Sequence, residues 1–464
     1  MNRRWQICLA VGGALALGVL PRTATAQGFS VNEHSACATA RGGTGVASPC
    51  PDGSAMVYNP AGLTQLKKGE NIIAAGVQLI MPRGGFTDDN TSLQSNLEDH
   101  TYPVPTLFLA RGFTDKLTAG VGMYAPYGLT TEWPTTSEGR FLGYKSVIKN
   151  YYIQPTVAYK INPKIQIGAG LDINISSVQL EQHLDLSSQN LPAPAPSGFT
   201  FGTIGIPYGT DFADVNLQGN GTSVGGHFGV IVKPMDQISF GVRYLTQQTV
   251  NYNSGTVDIT QIATGLLLPA SLTFPGGPTL PKGTPIDLVL GQTVFTTGPL
   301  IDQSASTQIT NPSQWTFGVT FDPTTKFKVL FDVTLTQWSS FDTLSFKFDS
   351  LPTQNLPENY NNVAAYRVGA QYAISQKVDA RVGFIDHEGA APAQTVTPNL
   401  PEGARTEFTA GLGFQFSQQF HLDLSYMYIN QADRRGRTVS DPTVTNGLYN
   451  FSANLFGASL AFSF

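Results

Sequence analysis

The sequence predicts an all-β fold, a transmembrane antiparallel up-and-down β-barrel of about fourteen strands with an N-terminal plug in its lumen. Three observations predict it. Bulky apolar and small polar residues alternate with period two in run after run. Short polar turns alternate with long loops along the chain. An export leader opens the chain, yet no later apolar stretch approaches the ~20 residues that a membrane-crossing helix needs.

The leader comes first. "MNRRWQICLAVGGALALGVLPRTATA" sets Arg3 and Arg4 before an apolar stretch from Ile7 to Leu20, then Ala24-Thr25-Ala26. That order marks a secretory signal peptide, expected over residues 1–26 with cleavage before Gln27. Cys8 lies inside the apolar stretch, far from the cut, which argues against a lipoprotein anchor. Only 13% of the 464 residues are charged, about half the usual share of roughly 25%. Aromatics reach 11% while mean hydropathy is −0.06, so apolar residues are spread out and not concentrated. Loss of Arg3, Arg4 and Arg22 leaves 24 of the 27 basic residues against 32 acidic ones, a net charge of −8. An acidic exported chain gives no reason to expect nucleic acid as a partner, because that binding rests on clustered Lys and Arg.

Residues 27–70 show no sustained alternation. They are rich in Gly, Ser and Ala, with turn signals at Pro49, Pro51, Asp52-Gly53 and Asn59-Pro60. A loose periplasmic tail is one reading. Phe29, Met56, Val57, Tyr58 and Leu63 are residues of the buried type and favour the other, a compact plug (hatch) inside the barrel. Cys37 and Cys50 form a disulfide in an oxidising compartment or remain two small buried residues.

Residues 71–464 read as the barrel. Its strands are expected near 71–81, 102–112, 116–126, 150–160, 164–177, 223–233, 237–251, 312–322, 326–338, 362–374, 377–387, 405–416, 419–430 and 447–464. In "KIQIGAGLDINIS" the series Ile165, Ile167, Leu171, Ile173 and Ile175 alternates with Gln166, Gly168, Asp172, Asn174 and Ser176. The C-terminal "NLFGASLAFSF" sets Phe456, Leu460, Phe462 and Phe464 against Gly457, Ser459 and Ala461. Successive side chains of a strand point to opposite faces, so each run has one greasy face. Each also suffices for the ~9–11 tilted residues that cross an outer membrane. "YKINPKI", "FDPTTKF" and "QFSQQFH" are among the tight turns, and the loops include 178–222 and 252–311. A soluble sandwich would also alternate, but its second face would carry Lys, Glu and Arg. Here that face is Gly, Ser, Thr, Ala and Gln, so the greasy face meets lipid.

"GFSVNEHSA" at the start of the mature chain and "MVYNPAGLTQL" before the first strand resemble the hatch of the FadL family. These are outer-membrane transporters of long-chain fatty acids, with TodX-like importers of aromatic hydrocarbons among them. The likeness continues through "YAPYGLTTEW", "LTQWSSFDTLSFKF" and "YRVGAQYAISQKVDARVGFIDHEGAAPAQ", and so covers most of the chain. It implies a fourteen-stranded barrel with a hatch, and a monomer in the bacterial outer membrane. It also implies capture of a hydrophobic small molecule among outer loops, transfer to a luminal pocket and sideways exit through the wall. No cofactor, metal or chemical step is implied. Long-chain fatty acids are the expected ligands, with neutral, toluene-like aromatic hydrocarbons the alternative.

Candidate residues follow for each step. Two loops are expected to capture ligand. Ile259, Ile262, Ala263, Leu266 and Leu267 in "VDITQIATGLLLPASLTF" have helical spacing, predicting an exposed amphipathic helix. The 178–222 loop offers Leu180, Leu184, Leu186, Phe199 and Phe201. The plainer alternative is that these residues pack on one another over the barrel mouth. In the hatch, Phe29 is a ligand candidate, and Asn59, Pro60 and Ala61 form the family's NPA motif. A carboxylate would want a cation. Arg243, Arg367 and Arg381 should point inward by parity with Val242, Val368 and Val382, and Lys347 is a further candidate. The rival role for lumen arginines is pairing with acids such as Asp332, Asp379 or Glu33. Pro126, Tyr127 and Gly128 match the family's wall kink, since Pro126 cannot donate to a ladder and Gly128 lets the chain bend. An ordinary strand end is the alternative. An outer-membrane enzyme and a passive adhesin are rival classes, but no H-E-x-x-H motif occurs.

Overall fold

The computed structural model describes residues 28–190, 200–273, 278–296, 298–436 and 446–464. Its strands form one closed antiparallel barrel of fourteen. In chain order they are β1 Asn71–Asp88, β2 Tyr102–Gly112, β3 Leu117–Glu132, β4 Lys145–Asn162, β5 Ile165–Leu184 and β6 Ala213–Met235. Next is β7, interrupted into Ile238–Leu245 and Gln248–Gln261, and β8, interrupted into Gln303–Asn311 and Gln314–Phe321. Then come β9 Phe327–Thr336, β10 Val363–Ala373, β11 Val378–His387, β12 Arg405–Gln415, β13 Phe420–Arg435 and β14 Gly447–Ser463. Pairing of β1 with β14, from Ile72 opposite Ser463 to Asp88 opposite Gly447, closes the cylinder and removes its edges. The expected signal peptide, residues 1–26, lies outside the described residues.

The alternation now has a direction. Leu171, Ile175, Phe317, Val382 and Phe408 are exposed on the outer surface, while Asp172, Asn174, Thr316, Arg381 and Thr409 are buried inside. Phe456, Leu460 and Phe464 of the final strand face out, and Gly457, Ser459 and Ala461 face in. The tight turns are closed by short side chains bonding their own backbone. Asn162 Oδ1 accepts from the N–H groups of Lys164 and Ile165, and Thr324 Oγ1 from those of Lys326 and Phe327.

Several strands outrun the expected spans. β5 and β6 pair from Ile165–Val232 up to Leu184–Ala213, so much of the expected 178–222 loop is a projecting hairpin. Above the membrane a strand needs no greasy face, and the stripe that marks a span fades before the ladder ends. The amphipathic helix expected over 257–274 is a second correction. Ile259 instead belongs to β7, where Val257 and Ile259 alternate with Thr256, Asp258 and Thr260. The β-branched run suits a pleat better than a helix. A helix forms later, over Ile286–Thr293, once Pro285 has ended the extended chain.

The hatch fills the lumen. Helix α1, Ala36–Ala40, starts at Ser35, whose hydroxyl accepts from Ala38 N–H at 3.4 Å. Helix α2, Ala55–Tyr58, leads through Asn59 into a 3₁₀ turn, Pro60–Gln65. Cys37 and Cys50 are disulfide-bonded, their Cα atoms 6.4 Å apart. The hatch is fastened to the wall by polar contacts. The Gly45 and Val46 N–H groups donate to Asp332 Oδ2 at 2.8 and 3.1 Å. Asn59 Nδ2 donates to the carbonyls of Val46, Val230 and Val242 at 2.7, 3.0 and 3.3 Å, tying the NPA segment to β6 and β7. A Cβ on Gly229 would stand 1.9 Å from Asn59 Oδ1, so the wall is hollowed where this asparagine docks.

Candidate ligand path

The wall is incomplete between β2 and β3. These strands pair from Gly112–Thr118 only as far as Leu107–Met123. Beyond that point, residues 102–106 remain paired with β1 alone. Pro103 and Pro105 in this stretch have no N–H to offer a new neighbour. On the other side β3 bulges between Tyr124 and Tyr127 before resuming its pairing with β4. There the hatch takes the place of β2. Val31 N–H donates to the Pro126 carbonyl, and Gly128 N–H to the Phe29 carbonyl, both at 2.9 Å. Higher up, the N–H of Glu98 donates to the Glu132 carbonyl at 2.8 Å and bridges the opening again. Pro126, Tyr127 and Gly128 therefore sit at a window in the wall.

Two cavities meet at Phe29. One, of about 380 Å³, lies behind the window and is lined by Tyr102, Val104, Ala125, Gly128, Ile429 and Leu455 among others. The second, of about 370 Å³, is a groove under the outer loops, lined by Val178, Leu180, Leu217, Leu344, Phe346 and Leu356 among others. Both volumes are of ligand-pocket size. Phe29, Leu129, Ile148 and Leu400 line both cavities, so four apolar side chains form the septum between them. Phe29 is held edge-on against Trp338, Phe341 and Tyr127, at centroid distances of 4.7, 5.6 and 6.2 Å. Gly28 allows this approach. Its φ is +63°, and a Cβ there would lie 2.3 Å from the Trp338 ring.

The two cavities differ in charge. Among the described residues that line the groove, Glu358 is charged and none is Lys or Arg. Glu33, Lys149 and Arg405 line the cavity behind the window. Burial and the nearby Glu407 push the Glu33 carboxyl up to about 7. His34 is held down to about 3 by burial and by Arg243.

The basic residues singled out in the sequence lie elsewhere. Arg243, Arg367 and Arg381 do face the lumen and are buried. Arg243 donates to His227 Nε2 at 2.7 Å and to Gln314 Oε1 at 3.2 Å. Arg367 donates to Thr334 Oγ1 at 2.5 Å. Arg381 is ion-paired with Asp423 and, at 3.3 Å, with Asp379. None of the three lines either cavity, because the hatch contacts this depth of the lumen. Lys347 is exposed on a short strand, Thr343–Phe348, whose Phe346 and Phe348 line the groove. Adjacent strand residues point oppositely, so Lys347 faces away from the ligand space.

The loop residues divide in the same way. Leu180 lines the groove. Phe201 is buried with Leu186, Phe212, Ile286 and Leu290, and Leu266 packs against that cluster. Leu267 is exposed, and Phe199 lies outside the described residues. The apolar loop residues thus pack mainly on one another. Sequence reasoning missed Leu129, Ile148 and Leu400. Leu129 follows the quoted Tyr-Gly directly, but nothing in its own neighbourhood indicated two cavities.

A closed, lipid-facing barrel with a stoppered lumen, a windowed wall and two apolar cavities defines a class: outer-membrane proteins that pass hydrophobic compounds. Residues 18–464 match the family model described as outer membrane protein transport protein (OMPP1/FadL/TodX), and the chain belongs to this family. It is 22% identical over 427 residues to the long-chain fatty acid transport protein of Escherichia coli O6:H1, covering 90% of each chain. It is 23% identical over 458 residues to the 47 kDa outer membrane protein of Pasteurella multocida, covering 97% of each. Among solved structures, a Pseudomonas aeruginosa FadL homologue superimposes with a TM-score of 0.74 at 20% identity, over 94% of this chain and 99% of that one. The Pseudomonas putida toluene transporter TodX gives 0.64 at 17% identity, over 94% and 99%. Members of the family are transporters or channels for hydrophobic compounds, and at this identity the fold is what the likeness fixes.

Proposed function

We propose that the protein imports neutral hydrophobic molecules, entering through the outer groove, crossing the septum at Phe29 and leaving sideways through the window beside β3. The observation that carries this reading is the pair of apolar cavities that share one four-residue wall. Each CH₂ taken from water is worth ~0.8 kcal/mol. A dry groove can therefore draw a hydrocarbon from the aqueous layer, and an opening toward lipid lets it go. A neutral ligand is favoured over a fatty acid by the groove lining, which among the described residues includes no Lys or Arg. A buried carboxylate without a cationic partner would be strongly disfavoured. Of the two named ligand types among the relatives, toluene fits this surface better than a long-chain fatty acid. One chain closes the barrel and lines both cavities, so a monomer suffices, with outer-membrane lipid as its surroundings.

A second reading has its own support. Lys149 and Arg405 line the cavity behind the window and could hold a carboxylate there. Binding of oleate and of alkylbenzenes to the purified protein in detergent separates the two readings. Alkylbenzene binding that oleate fails to displace supports the neutral class. Tight oleate binding that is lost in Arg405→Ala supports the fatty-acid class.

A further inference from the structure

The floor of the outer groove changes character along β5. Moving outward from the septum, one face of this strand carries Val178, Leu180 and Gln182, all three lining the groove. The ladder fixes what stands beside each. Val178 pairs with the septum residue Ile148, Leu180 with Leu217, and Gln182 with Val215. Two apolar rungs are thus followed by one that bears an amide. At roughly 3.3 Å per residue, Gln182 stands about 13 Å beyond Val178.

Most other polar side chains around the groove are committed to the protein itself. Ser146 Oγ donates to Asn399 Oδ1 at 2.8 Å, and Asn399 Nδ2 to the Leu142 carbonyl at 2.9 Å. Thr307 and Thr395 donate to the Ser345 and Pro392 carbonyls at 2.9 and 3.2 Å. Gln179 donates to Glu181, and Glu358 also has a partner. Gln182 is half-buried, yet its amide makes no hydrogen bond among the described residues. Gln354 is exposed at the rim, and Thr397 lies on the loop between β11 and β12, off the ladder.

We propose that Gln182 is a specificity residue of the groove, selecting neutral molecules that carry a hydroxyl at one end of an apolar body. Alkylphenols and comparable hydroxylated hydrocarbons are the class that fits. A hydroxyl ordinarily weakens binding to an apolar surface, because its water must be stripped away. The amide offers both a donor and an acceptor, matching the acceptor and donor of a hydroxyl, and so removes that penalty. With the hydroxyl at Gln182, the apolar body lies across Leu180, Leu217 and Val178 and ends at Phe29. A carboxylate gains less, since the amide carries no charge and no Lys or Arg lines the groove among the described residues. This selection rests on the groove being the ligand entrance proposed above.

Calorimetric titration of the purified full chain in detergent compares para-hexylphenol with hexylbenzene, a pair that differs by the hydroxyl alone. Wild type should bind the phenol at least as tightly as the hydrocarbon. Gln182→Leu should lose about tenfold in phenol affinity, the effect of a hydrogen-bonding group left without its partner. Its hexylbenzene affinity should be unchanged or slightly higher. Gln182→Met keeps the length of the side chain and should behave alike, which covers a failure of the leucine variant to fold. Equal phenol affinity in wild type and variants overturns the role of Gln182 and leaves the groove as a hydrocarbon site. Matching losses of phenol and hydrocarbon also overturn it, since a polar contact does not account for them. If wild type binds neither ligand, the entrance itself fails and the selection fails with it.

Discussion

Gly128 donates its backbone N–H to the carbonyl of Phe29 at 2.9 Å, joining the wall strand to the hatch where β2 has stopped pairing. The window in the wall and the septum between the cavities are thus built from the same few residues. A change that reshapes β3 here should act on transport before it acts on binding in the groove.

Replacing Pro126 and Gly128 together with Val adds an N–H and removes the bend. A Cβ at Gly128 meets nothing closer than 3.5 Å, so the variant should fold. Uptake of an alkylbenzene by cells should fall about fivefold, the effect of ~1 kcal/mol. Equilibrium binding to purified protein should stay unchanged. Wild-type uptake in this variant would remove the sideways exit.

Leu129 lines both cavities and is the simplest place to alter the septum. Leu129→Trp should obstruct passage and lower uptake about tenfold, equivalent to ~1.4 kcal/mol on the barrier. Leu129→Ala should admit bulkier ligands at a stability cost of ~2 kcal/mol. Uptake across a series of alkylbenzenes of rising size, with thermal unfolding beside it, checks both.

The groove can be given a cation, since none lines it among the described residues. Gln354 is an exposed groove residue, so Arg can replace it without entering the core. Gln354→Arg should raise oleate affinity up to about tenfold, in the range of a charge-assisted hydrogen bond. Alkylbenzene affinity should change little. Calorimetric titration with both ligands measures the switch, and parallel losses for both would count against the groove as a binding site.

Glu33 contributes a pH dependence to the hatch. Its carboxyl is raised from the ordinary 4.5 to about 7, so the folded protein favours the neutral acid. That contribution to stability is complete below about pH 4.5 and is lost as pH rises through about 7. The melting temperature of Glu33→Gln relative to wild type should therefore climb across this window. Parallel curves at every pH would show that Glu33 does not titrate there.

Reading the sequence reached the strands and the closed barrel, because each span leaves a local mark. Phe317 or Phe408 advertises lipid by its neighbours of opposite parity, and Pro126 advertises a broken ladder by its missing N–H. Ligand-site chemistry was far less legible. Arg243, Arg367 and Arg381 satisfy the inward parity of a head-group site, yet inward at that depth means against the hatch. Lys347 misses the groove by one residue of register, since Phe346 and Phe348 take the inner face.

The amino-acid order by itself determined the closed barrel. The two-residue repeat of a strand is short-range, and lipid on one side with polar lumen on the other writes it into every span. Only the tertiary structure decided where ligand can go. The septum unites Phe29, the cross-strand pair Leu129 and Ile148, and Leu400 from three distant parts of the chain, and Glu402 reaches Gly28 across most of its length. Such convergence depends on how far the hatch rises inside the cylinder and where the wall stops pairing, and no local pattern of residues records either.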